Sequence, residues 1–289
     1  KIYLLFYYYF LSRPMEQQLR KITALNDQWY FRVCREGSAP GSWQPAVLPH
    51  TNFELPFNCF DETDYQFISE YRRQLQIPAQ LGDNLCFIDF EGVMASAEVF
   101  VDGSPAGSHK GGYTPFSVNI TPLVTPGKTC ELLVVTDSRE NPEIPPFGKV
   151  IDYLTYGGIY REVQMRITAP VYIDDVFIRT GGIDKPLRQL DAEISVINSR
   201  TASDVEDRGL ALRLFSNPDD RDPIAELQQS ISLTEGSQKI TLTLHELKNI
   251  KLWDIDEPNL YCIETVLYNR GKEQDRVMTR TGFRSCSFT

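Results

Sequence analysis

The residues best suited to chemistry lie in KVIDYLTYGGIYREV (149–163), where Asp152 sits among Tyr153, Tyr156 and Tyr160 beside a Gly157-Gly158 pair. An aromatic face can lie against the apolar C–H face of a sugar ring, while a carboxylate or amide exchanges hydrogen bonds with its hydroxyls. Two further stretches have the same make-up. HKGGYTPFSVNIT (109–121) joins a Gly111-Gly112 turn to Tyr113 and Phe116, and LPHTNFELPFN (48–58) carries Asn52, Phe53, Phe57 and Asn58. Carbohydrate is the ligand class these loops fit. The rival reading is that Tyr113, Phe116 and Tyr156 plug the end of a hydrophobic core and that Asp152 caps a turn.

Other chemistries lack their parts. The sequence contains no G-x-x-x-x-G-K-[ST], no G-x-G-x-x-G after a strand, no H-E-x-x-H and no G-x-S-x-G, which leaves nucleotide, zinc-protease and esterase readings without their central residues. His50, His109 and His245 are far apart, and His245 reads as an ordinary surface or edge residue. The six cysteines (34, 59, 86, 130, 262 and 286) form no C-x-x-C pair; that is not metal-ligand spacing, and they read as buried, reduced thiols of a cytoplasmic protein. The acidic pairs Asp61 with Asp64, Asp174 with Asp175 and Asp219 with Asp220 are expected in solvated turns.

The elements that must position the loops read as strands. Short runs rich in β-branched and aromatic residues follow Trp29, separated by Gly, Pro, Asn and Asp clusters, and several alternate as a sheet half buried against another requires. FISEYRRQLQI (67–77), LCFIDFEGV (85–93), SAEVFVDG (96–103), TCELLVVTDS (129–138) and REVQMRITA (161–169) form a first series. A second begins with VYIDDVFIRTGG (171–182) and continues through LDAEISVINS, LALRLFSN, KITLTLHEL, LYCIETVLYN and VMTRTGF. The expected fold is all-β, as two sandwiches, the second immunoglobulin-like. The 289 residues, 42% of them apolar, suffice for two cores, and a net charge of −10 with scattered Lys and Arg argues against nucleic acid as a partner. The opening KIYLLFYYYF is apolar but too short to span a bilayer, so residues 1–14 read as an extension foreign to the fold, with a degraded signal peptide as the alternative.

Four blocks in order, HKGGYTPFSVNITPLV, PPFGKVIDYLTYGGIYREV, LWDIDEPNLYCIETVL and TRTGFR, resemble the N-terminal half of glycoside hydrolase family 2, the β-galactosidase and β-glucuronidase family. The resemblance runs from about Trp29 to Arg284. It implies a sugar-binding jelly roll over 15–169, an immunoglobulin-like sandwich over 170–281, and in 282–289 the start of a linker to a (β/α) barrel that holds both catalytic glutamates. The chain is then a non-catalytic portion of an enzyme of β-galactosidase type that hydrolyses O-glycosidic bonds, inactive by itself, with no catalytic residue of its own. The resemblance makes Asp152, at its offset before G-I-Y-R, a ligand of sugar hydroxyls, in some members through a sodium ion; no other cofactor is implied. Tyr156 joins it as a substrate contact, and Asn58 stands for a second residue reaching the sugar. Trp253, Pro258 and Tyr261 imply packing. The implied partners are a carbohydrate and the catalytic barrel of the same polypeptide, with no membrane and with homo-oligomerisation left open. The alternative is a free-standing carbohydrate-binding module.

Overall fold

The computed structural model describes residues 20–286 apart from 36, 55, 57, 59, 60, 62, 63, 146–154 and 201–206. These residues divide into two compact units, 21–167, and 168–286 together with Arg20.

The first unit contains β1 (Lys21–Ala24), β2 (Trp29–Cys34), β3 (Gln44–Ala46), β4 (Ile68–Gln76), β5 (Leu85–Phe90), β6 (Ser96–Val101), β7 (Ser104–Lys110), β8 (Phe116–Asn119), β9 (Thr129–Asp137) and β10 (Val163–Thr168). They form a four-stranded sheet, β1-β10-β5-β8, and a six-stranded sheet, β3-β2-β4-β9-β6-β7. This is the jelly-roll sandwich. Along β9 the side chains of Cys130, Leu132, Val134 and Thr136 are buried while their neighbours are half-buried or exposed, the period-2 pattern of a strand with one face inward. Those inward residues meet Ile88, Phe90, Val118, Met165 and Ile167 of the other sheet in one core, with Trp29 and Tyr71 enclosed.

The second unit contains β11 (Val171–Gly181), β12 (Arg188–Asn198), β13 (Arg208–Phe215), β14 (Ala225–Ile231), β15 (Gly236–Leu247), β16 (Tyr261–Asn269) and β17 (Lys272–Thr281). A three-stranded sheet, β11-β12-β15, and a four-stranded sheet, β14-β13-β16-β17, make an immunoglobulin-like sandwich. Its core includes Ile173, Leu190, Ile194, Leu212, Leu242, Ile263 and Phe283. His245 is exposed.

One expectation fails here. Asp174 and Asp175 are not in a turn but within β11, where the register to β12 skips a residue between Ile173 and Asp175. A bulge adds one residue to a strand and lets two successive side chains share a face, so both carboxylates are exposed. Asp61 with Asp64 and Asp219 with Asp220 do lie in turns, where Asp64 and Asp220 each accept a backbone N–H three residues back.

Candidate sugar site at one end of the first sandwich

β9 ends at Asp137, whose carbonyl accepts the Ala95 N–H at 3.0 Å, and β6 begins at Ser96, paired with Asp137 on one side and Lys110 on the other. The chain leaving β9 folds back as Arg139-Glu140-Asn141. There the Asn141 carboxamide oxygen accepts the Glu143 N–H at 2.9 Å, and the Asn141 carbonyl accepts the Ile144 N–H at 3.0 Å. Ser96, Asp137, Arg139, Glu140, Asn141 and the buried Ile144 thereby line a cleft of about 250 Å³. Its polar groups are held firmly. Arg139 grips both oxygens of Asp137 at 2.9 and 2.8 Å and adds its backbone N–H at 3.0 Å. Burial alone would push the Asp137 carboxyl up, but the Arg139 hydrogen bonds outweigh it and hold the group below its ordinary value. Beside the cleft Lys110 pairs with Glu143 at 3.0 Å.

The Gly157-Gly158 segment is clamped next to this cleft. Its carbonyls accept backbone N–H groups from Asn52 (to Gly157, 3.0 Å), Met94 (to Gly158, 3.0 Å) and His50 (to Ile159, 2.8 Å). A Cβ on Gly157 would strike the Asn52 amide and Ser138, and one on Gly158 would strike the Tyr71 hydroxyl. Gly158 also has φ +100, a region that side-chain-bearing residues avoid. Ser138 anchors the clamp: its hydroxyl receives the Asn52 Nδ2–H at 3.0 Å and the Phe67 N–H at 3.1 Å and lies 2.8 Å from the carbonyls of Tyr65 and Phe67. Behind Gly158 the buried Tyr71 hydroxyl lies 2.9 Å from His50 Nδ1. Desolvation raises the Tyr71 phenol above its ordinary pKa and lowers that of His50, with Glu54 pulling the imidazole slightly the other way.

Gly158 pairs antiparallel with Met94. Tyr156, two residues before Gly158, is not among the residues that line the cleft. Its ring is 48% exposed. Asn58 is exposed, and Asp152 lies outside the described residues, as does Phe57. The sodium ion that the resemblance would attach to Asp152 falls there too; among the described residues no group of three or more His, Cys, Asp or Glu could hold a metal ion. Asn52 departs from its expectation as a contact residue. It is 4% exposed, because its amide is spent on the Tyr65 carbonyl at 3.1 Å and on Ser138, while its Oδ1 has no partner among the described residues. Phe116 follows the core-plug reading: it is stacked between Phe90 at 4.7 Å and His109 at 4.4 Å. Tyr113 does not; it is 46% exposed. The cleft residues Asp137, Arg139 and Asn141 escaped the sequence reading. The one signal was an Asp-x-Arg triplet closing an alternating strand just before Asn141-Pro142.

Comparison with known proteins supplies the lineage. Residues 19–170 match the model of the glycosyl hydrolases family 2 sugar binding domain, and residues 171–284 match a second glycosyl hydrolases family 2 model. The β-galactosidase of Thermoanaerobacterium thermosulfurigenes is 37% identical over 278 residues, covering 93% of this chain and 38% of that protein. The β-glucuronidase of Bacteroides fragilis is 28% identical over 276 residues, covering 92% of this chain and 38% of that protein. Among solved structures, β-glucuronidase 2 of Bacteroides uniformis superposes with a TM-score of 0.78 at 26% identity, covering 92% of this chain and 33% of that one. The chain thus spans less than two fifths of the length of these relatives. It belongs to glycosyl hydrolase family 2, of which it carries the sugar binding domain and the immunoglobulin-like domain that follows.

Proposed function

We propose that this chain is the non-catalytic, substrate-contacting portion of a β-galactosidase, with the cleft at Asp137 and the exposed ring of Tyr156 meeting the sugar, and with Asp152 and Asn58 reaching it from adjoining loops. The observation that carries the reading is the cleft: about 250 Å³, lined by two carboxylates, a guanidinium, a carboxamide and a hydroxyl around the Ile144 side chain. That set of donors and acceptors suits sugar hydroxyls. It suits cleavage poorly. A retaining glycosidase needs two carboxyl groups about 5–5.5 Å apart, both available to the scissile bond, whereas of the two in this cleft, Asp137 and Glu140, Asp137 has both oxygens committed to Arg139.

Charge favours a neutral sugar over a uronate. Around the cleft stand Asp137, Glu140 and Glu143 against Arg139 and Lys110, and both cations are already paired with carboxylates. A substrate carboxylate would therefore meet net repulsion. The greater identity to a β-galactosidase than to a β-glucuronidase supports the same choice.

The test is an NMR titration of the chain with methyl β-galactoside and methyl β-glucuronide. The galactoside should shift the amides of Ser96, Asp137, Arg139 and Tyr156 with a Kd of about 1 mM or weaker, as a partial site allows. The glucuronide should shift them less, and Asp137→Asn should abolish the response. Equal shifts with both sugars would overturn the galactoside assignment. Aryl β-galactosides should not be turned over by the chain alone; hydrolysis abolished by a substitution within it would refute the non-catalytic role.

A further inference from the structure

We propose that His50 and Tyr71 are positioning residues forming a pH-sensitive latch on the segment that presents Tyr156, closed when the imidazole is neutral and released when it is protonated. The inference rests on the sugar-site reading only for the latch's purpose, not for its existence.

The Tyr71 hydroxyl is enclosed, with the residue 0% exposed, and one neighbour fixes its proton. The hydrogen-bond partner of this buried hydroxyl among the described residues is His50 Nδ1, 2.9 Å away, so its O–H is satisfied by pointing there. That arrangement requires Nδ1 to be an acceptor, hence a neutral ring with its hydrogen on Nε2. The same histidine also holds the segment through its backbone, its N–H donating to the Ile159 carbonyl at 2.8 Å. One residue thus grips the segment directly through its main chain and indirectly through Tyr71, whose hydroxyl lies against Gly158.

Protonation turns Nδ1 into a donor. The Tyr71 oxygen then faces an N–H while its own hydrogen has lost its acceptor in a buried site, and a buried polar group without a partner is costly. The groups bearing on the ring are the Tyr71 phenol from β4 and the Glu54 carboxylate from the histidine's own loop, while β2 presents the Phe31 ring at 4.9 Å. Desolvation outweighs Glu54, so the folded protein binds this proton less readily than the unfolded chain. Such a group stabilises the fold above its ordinary pKa near 6.5, and that contribution drains away as the pH falls below it. Release therefore belongs to mildly acidic conditions.

Hydrogen exchange of the chain, followed by mass spectrometry on peptides covering 155–163 at pH 7.5 and pH 5.5 and corrected for intrinsic exchange, tests the latch. Protection of these peptides should fall at least tenfold at the lower pH. His50→Asn, whose Oδ1 stands where Nδ1 stood and cannot titrate, should remove the pH dependence while keeping the protection. Protection equal at both pH values in the unsubstituted chain, or the same fall in His50→Asn, would overturn the proposal. Binding of methyl β-galactoside measured alongside separates the two readings: a pH-dependent exchange without sugar binding at either pH would leave the latch standing and remove the site.

Discussion

At the scale of single residues, Gly158 shows how closely the end of the first sandwich is fitted. It needs a backbone angle that favours glycine, and its Cα faces the Tyr71 hydroxyl and the His50 carbonyl with no room for a methyl group. Gly37 shares the first condition, at φ +73, but has open space around it. Gly37→Ala should therefore cost only backbone strain, about 1 kcal/mol, whereas Gly158→Ala adds the collision and should cost about 3 kcal/mol or more. Urea denaturation of the two variants compares them; equal losses would show that crowding at Gly158 is relieved cheaply. The glycine pair was visible in the sequence because only steric need explains two adjacent glycines among tyrosines. Asp137 and Arg139 were not visible in the same way. Their meaning comes from the β6-β9 register and the turn through Asn141, which bring Ser96, 41 positions away in the chain, to the same cleft.

At the scale of elements, two of the register shifts in the second sandwich, in β11 and β17, act in opposite directions. In β11 the extra residue turns Asp174 and Asp175 outward. In β17 the register to β16 skips Gln274, and both Gln274 and Asp275 turn inward, 8% and 1% exposed. These two side chains fasten β17 to β11. Gln274 donates to the Val171 carbonyl at 2.8 Å and accepts from Arg208 at 2.7 Å, while Asp275 takes the Ile173 N–H at 2.7 Å and both arms of Arg20 at 2.8 and 2.6 Å. Asp275→Ala would strand a largely buried guanidinium and a buried amide, a loss of about 3–5 kcal/mol. Asp174→Ala, on the solvent side, should change stability by less than about 0.5 kcal/mol. Thermal melts of both variants check the contrast, and a small effect at Asp275 would mean that the two strands are held by their apolar contacts alone. Sequence periodicity revealed the long alternating strands, β9 and β12 among them. It passed over β1, β2, β3, β7, β8 and β14: SPAGSHK has no apolar stripe, and in AELQQSI the inward Ala225, Leu227 and Ile231 are interrupted by Gln229; such strands are completed by the hydrogen bonds a neighbour offers, which no local pattern records.

At the scale of the whole molecule, each unit has its own core. Ile88 is fully buried among residues of 21–167 and Ile263 among residues of 168–286. Truncating a buried isoleucine to alanine costs about 2–5 kcal/mol, and the loss should be felt by the unit that holds it. Calorimetry of Ile88→Ala should show a lowered transition for the first unit with the second little changed, and Ile263→Ala the reverse; a single transition shifted equally by both would show that the units melt together. The fold class was legible at this scale because turn residues recur at short intervals along the whole chain. Finally, the six-stranded sheet ends in β3, three residues long and interrupted by Pro45, and in β7, which is small, polar and closed by Lys110. A proline offers no amide to a newcomer and a lysine tail resists being enclosed. Neither rim is a ready template on which a second molecule could zip, and fibril growth should not start along the edges of this sheet.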